Sequence, residues 1–152
     1  MFLTSVRLMP RAYAGLGFAA FAAAMTSGRL TGDLFVHRLG GWRVMLLGAL
    51  LAAAGFAVAN LVPGWPAALV GYAMVGIGCS NTVPVLYTAT GKQTAMAESL
   101  AVPAMTSMGY AGMLVGPAAI GLMARATSLP WAFTAVILML LGVAASARWL
   151  RG

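Results

Sequence analysis

The chain has 152 residues, of which 62% are hydrophobic and only 11 carry charge, nine Lys or Arg against two Asp or Glu, for a net charge of +7. A soluble domain is roughly one-quarter charged, and a disordered chain is poor in apolar residues, so both classes are excluded. A single cysteine, Cys79, cannot close an internal disulfide, and the basic residues stand singly instead of forming the clustered face that nucleic acid requires.

Charge-free runs count the membrane spans, because a charge at mid-bilayer costs about 2.5 to 3.5 kcal/mol on insertion scales. Arg11 and Arg29 bound one run, Arg43 and Lys92 a long second, Glu98 and Arg125 a third, and Arg125 and Arg148 a fourth. The second run is long enough for two spans and is broken by the turn cluster Pro63-Gly64-Trp65-Pro66. The sequence thus predicts five spans in one transmembrane helical domain over 1–152, near 13–30, 42–62, 65–90, 99–124 and 130–150. All are expected to be α-helical, since lipid offers no partner to an unpaired backbone amide and these runs are too long for barrel strands. Trp42, Trp65, Trp131 and Trp149 each fall at a predicted span end, in the headgroup layer that indole rings prefer.

In chain order, the start invites two readings. Arg7 and Arg11 followed by an apolar stretch and Ala22-Ala23-Ala24 resemble a secretory leader. The length of the basic region and the membranous remainder favour a first span. Placing the loop after that span in the cytoplasm puts Arg29, Arg38, Arg43, Lys92, Arg148 and Arg151 inside, against Arg7, Arg11 and Arg125 outside. Six against three predicts a multi-pass protein of a bacterial inner membrane with a cytoplasmic C-terminus. An odd number of spans that starts outside suggests a fragment of a longer protein.

Residues 28–43 hold one of the two acids and three basic residues, with glycines at 28, 32, 40 and 41. Glycine at those positions predicts a tightly turning loop, in which Asp33 pairs with Arg29 or Arg38. Polar residues in lipid tend to mark an interior or a pathway. They concentrate in span three, at Ser80, Asn81, Thr82, Tyr87 and Thr88, and in span four, at Thr106, Ser107 and Tyr110. Thr106, Ser107 and Tyr110 share a helix face with Pro103, roughly 130° from the glycines Gly109, Gly112 and Gly116. The polar face suits a water-filled path and the glycine face close helix packing. The substrate-cavity candidates are Asn81, Thr82, Thr106, Ser107 and Tyr110.

The segment with Gly28, Arg29, Gly32, Asp33, Arg38, Gly40 and Arg43 resembles the cytoplasmic-loop signature of the major facilitator superfamily, most closely its copy between the eighth and ninth helices. The stretch Gly112 to Pro117, with Gly121, resembles the glycine-rich Gly-Pro stretch of that family's eleventh helix. The resemblance implies that the five spans are helices eight to twelve, a partial C-terminal bundle, with residues 1–10 the tail of the seventh. It further implies a secondary transporter of a small solute working by alternating access, with lipid, substrate and a missing N-terminal half as partners. The rival expectation is a small five-span scaffold without transport activity. No acid pair, His/Cys cluster or nucleotide-binding glycine loop supports an enzyme, and no cofactor or metal is expected. Both acids lie outside membrane depth, so a coupling proton has no carboxylate to ride within these spans.

Overall fold

Apolar helices in lipid gain nothing by hiding from water, so their packing rests on how closely the backbones approach. The computed structural model describes residues 15–148 and shows where small side chains permit that approach. Expectations that fall on residues 1–10, on Arg7, Arg11, Trp149 and Arg151, lie outside the described residues. Every regular element among the described residues is helical: α1 Leu16–Leu39, α2 Gly41–Leu61, α3 Trp65–Cys79, α4 Thr82–Lys92, α5 Glu98–Ala126 and α6 Leu129–Ser146.

Helix α3 lies between α1 and α2, and α2 takes α6 on its other side. The seam between α2 and α3 is made of glycine and alanine. A Cβ on Gly48 would meet the Gly78 carbonyl, and one on Gly55 would come within 2.5 Å of the Gly71 carbonyl. Ala52, Ala59 and Ala68 have no exposed surface. Gly76 does the same against α1, where a Cβ would meet the Phe21 carbonyl. At the far end Phe56 and Phe133 stack at 5.4 Å, tilted by 59°, and the Asn60 amide donates to the Pro130 carbonyl at 3.2 Å, fastening α2 to α6.

Among the described residues, four stretches are long and apolar enough to cross a membrane: Gly41–Leu61, Trp65–Lys92, Ser99–Ala126 and Leu129–Ser146. They match predicted spans two to five, and the chain is an all-α, multi-pass membrane protein. The span expected over 13–30 begins before the first described residue. Its helix, α1, runs 24 residues, to Leu39, and so carries Arg29, Asp33 and Arg38 within it. The predicted loop over 28–43 is therefore helical up to a single break at Gly40, where φ is +81°. Glycine alone disfavours a helix by about 1 kcal/mol relative to alanine. Here Gly28 and Gly32, four residues apart, sit on the face of α1 that meets α3, and close packing outweighs the propensity.

Helices α3 and α4 form one apolar stretch with a break at Ser80 and Asn81. Pro84 has no N–H to offer the Ser80 carbonyl and its ring crowds that oxygen. The chain passes through Asn81 at φ −103° and ψ 0° before α4 begins. Helix α5 stands apart: beyond Ala101, none of its described side chains is buried. Among the described residues its main contacts with the bundle run along α4 and α6.

Candidate functional site

Three places collect the polar residues. The first is the α1–α3 seam. Ser80 is fully buried and donates to the Ile77 carbonyl at 2.7 Å. Asn81 gives one amide hydrogen to Ser80 Oγ at 3.0 Å and the other to the Gly28 carbonyl at 3.2 Å. Its Oδ1 occupies the space that a side chain on Gly32 would need. Asn81 thus ties the helix break to α1. The side-chain hydrogen bonds of Asn81 run to Gly28 and Ser80 and not to Thr106. Thr82 opens α4, half-buried, and its hydroxyl makes no hydrogen bond among the described residues.

The second is a cleft of about 790 Å³ where the end of α1, the start of α2 and the end of α4 converge. Asp33, His37, Trp42, Thr88, Lys92 and Gln93 line it. Asp33 forms no ion pair among the described residues, which corrects the expected pairing with Arg29 or Arg38. For Arg38 the reason is the continued helix. At 100° per residue Arg38, five positions on, lies about 140° around α1 from Asp33, whereas His37, four positions on, shares its face. The cation in the Asp33 cleft is Lys92, distant in sequence. Arg43 instead lies over the Trp42 ring, 5.3 Å from its centre. Gln93 closes the α4–α5 connection by donating to the Met96 carbonyl at 2.8 Å and accepting from the Met96 N–H at 3.0 Å.

The third is the facing surface of α4 and α5. Tyr87 Oη lies 2.7 Å from Thr106 Oγ1, and Thr106 also contacts the Val102 carbonyl at 2.8 Å. Thr90 donates to the Leu86 carbonyl at 2.8 Å, and its Oγ1 lies 3.1 Å from Met105 Sδ. Ser107 and Tyr110 follow on α5, both exposed. Of the five cavity candidates the structure thus groups Thr106, Ser107 and Tyr110 and separates Asn81 and Thr82. It adds Tyr87. The signal for Tyr87 in sequence was its hydroxyl one turn beyond Pro84, on a ring long enough to cross between helices.

The predicted packing residues Gly112, Gly116, Pro117 and Gly121 lie on the open part of α5. A Cβ on Gly109, Gly112, Gly116 or Gly121 would meet nothing within 4 Å. Among the described residues those glycines pack against no other helix. The glycines that do are on α1, α2 and α3.

Comparison with curated proteins places relatives along nearly the whole chain. Over 148 residues, 97% of the chain, it is 51% identical to an uncharacterized MFS-type transporter of Yersinia pestis, and the match takes 38% of that protein's length. It is 29% identical over 137 residues to membrane protein MosC of Rhizobium meliloti, covering 90% of the chain and 34% of the relative. An uncharacterized transporter of Sinorhizobium fredii is 29% identical over 120 residues, or 79% of the chain and 32% of that protein. The chain thus spans about a third of the length of the curated relatives it matches. No family model matches the chain, and no solved structure does.

Proposed function

Because the chain belongs to the major facilitator superfamily, we propose that it forms helices eight to twelve of a secondary transporter, moving a small solute by alternating access. In this reading α1 is the eighth helix, α2 the ninth, α3 with α4 the tenth, α5 the eleventh and α6 the twelfth. The observation that carries it is the state of α5: a membrane-length helix with hydroxyls on one face, glycines on another, and almost nothing buried. A helix of 29 residues so poorly covered by its own chain suits a position between two halves of a larger bundle. The match to about a third of each relative's length supports a missing N-terminal half as the partner.

The solute path then runs along α4 and α5, past Tyr87, Thr106, Ser107 and Tyr110. The small-residue face at Gly109, Gly112 and Gly116 is where a helix of the other half approaches. The cleft of Asp33, His37 and Lys92 is cytoplasmic and acts as the latch between states, with the C-terminus on the same side of a bacterial inner membrane. Charge sidedness supports that orientation. The role is transport and not catalysis, and the coupling group belongs to the other half.

Thiol labelling tests the path. In a Cys79→Ala background, Ser107→Cys and Tyr110→Cys are expected to react with a membrane-impermeant maleimide in oriented membrane vesicles, and Leu138→Cys on α6 is not. Protection of both α5 positions from the reagent, applied from either side, would sink the assignment.

A further inference from the structure

The hydroxyls between α4 and α5 can be counted by their hydrogens. A hydroxyl has one hydrogen to give and two lone pairs to accept with. Thr106 Oγ1 gives its hydrogen to the Val102 carbonyl at 2.8 Å. The 2.7 Å contact between Tyr87 and Thr106 then has one consistent assignment, in which Tyr87 donates and Thr106 accepts. Thr90 is committed to the Leu86 carbonyl at 2.8 Å. Three hydroxyls on this surface, those of Tyr87, Thr90 and Thr106, have therefore directed their hydrogens into the protein. Toward a guest they offer lone pairs. Ser107 and Tyr110, further along α5, keep their hydrogens, so the effect belongs to the part of the surface nearest α4.

Charge points the same way. Helix α4 before Lys92 and α5 before Arg125 carry no cation. An anion placed against Tyr87 and Thr106 meets oxygen lone pairs and no compensating charge, and would leave its own acceptors unsatisfied in a low-dielectric site. A guest with N–H or O–H groups satisfies them. A cationic amine gains further from the Tyr110 ring, 65% exposed and about one turn along α5 from Thr106.

Resting on the solute path proposed above, we infer that Tyr87 and Thr106 form a hydrogen-bond-accepting subsite, and that the solute is an uncharged or cationic molecule bearing N–H or O–H donors, not an anion. Tyr87, 38% exposed, is reachable from the open side.

Binding of four probes to the full chain in lipid nanodiscs tests this, followed by radioligand scintillation proximity: glucosamine and myo-inositol as donors, gluconate and inorganic phosphate as anions. The donor probes are expected to bind at least tenfold more tightly than either anion. Tyr87→Phe and Thr106→Val should each weaken the donor probes about tenfold, the scale of one lost hydrogen bond. Thr106→Ser, which keeps the hydroxyl, should restore binding to within a factor of about two. A variant that merely loosened α4 from α5 would act on all probes alike and would not be rescued by Thr106→Ser. Anions binding as tightly as glucosamine, no binding of the donor probes, or indifference to Tyr87→Phe each overturn the inference. Maleimide labelling of Ser107→Cys separates the two levels: a labelled cysteine with no donor preference removes the subsite and leaves the path, whereas an unreactive cysteine removes both.

Discussion

The side-chain amide of Asn81 reaches across to α1 and donates to the Gly28 carbonyl at 3.2 Å. That one bond joins the break between α3 and α4 to the part of α1 that the sequence presented as a loop. It works because Gly32, one turn further along α1, has no side chain where the Asn81 oxygen lies.

Gly32→Ala should therefore destabilise the chain by about 1 to 3 kcal/mol, the usual cost of overpacking a close contact. The added methyl meets the Asn81 carboxamide, so adding Asn81→Ala to Gly32→Ala should recover part of the loss. Thermal unfolding in detergent, run as a double-mutant cycle, measures both. Additive losses would show that Gly32 and Asn81 do not contact each other.

The two classes of glycine should respond oppositely to a methyl group. Gly48→Ala places a Cβ against the Gly78 carbonyl, and backbone cannot rotate away as a side chain can. It should cost more than Gly32→Ala. Gly112→Ala meets open space in this chain and should leave its unfolding temperature within about a degree, or rise slightly from the better helix propensity of alanine.

At the cleft, Asp33→Asn and Lys92→Met should act on the same equilibrium, and Arg38→Ala, on another face of α1, should not. The readout is the rate of maleimide labelling at Ser107→Cys in the longer transporter. Several-fold changes are expected for the first two, non-additive when combined, and less than a twofold change for Arg38→Ala. Equal effects of all three would return the latch to a diffuse basic surface.

Attachment of α6 rests on a polar bond and an aromatic pair. Asn60→Leu removes the donor to the Pro130 carbonyl. A loss of about 0.6 to 1.7 kcal/mol is expected, the range measured for interhelical hydrogen bonds in membranes. Phe133→Leu, which breaks the stack on Phe56, should cost a further 0.5 to 1.5 kcal/mol, roughly the value of an aromatic pair beyond its buried area. Steric trapping or detergent unfolding checks each.

The apolar spans were legible because their signal is local. A charge in lipid is costly wherever the rest of the chain goes, so the gaps between Arg43, Lys92, Glu98, Arg125 and Arg148 marked four membrane-length stretches whose helix ends the structure moves by only a few residues. Trp42, Trp65 and Trp131 stand at helix starts for the same local reason. The site was legible in part. Thr106, Ser107 and Tyr110 follow from the 3.6-residue period of one helix, and the structure keeps them on one surface. Tyr87 joins them only across space, through a tyrosine that spans the gap between α4 and α5.

By itself, then, the sequence determined that the chain is an all-helical membrane protein, which stretches are long and apolar enough to cross the bilayer, and the family it resembles, because hydration cost and helical period act on each segment separately. The tertiary structure decided what depends on a neighbour. Gly28 and Gly32 read as turn residues until α3 lies against them, Asn81 as a cavity residue until α1 offers it a carbonyl, and Arg38 as the partner of Asp33 until the helix continues and carries it out of reach. Glycine's freedom to turn and its capacity to let backbones touch come from the same missing side chain, and only the packing of α1 on α3 selected between them.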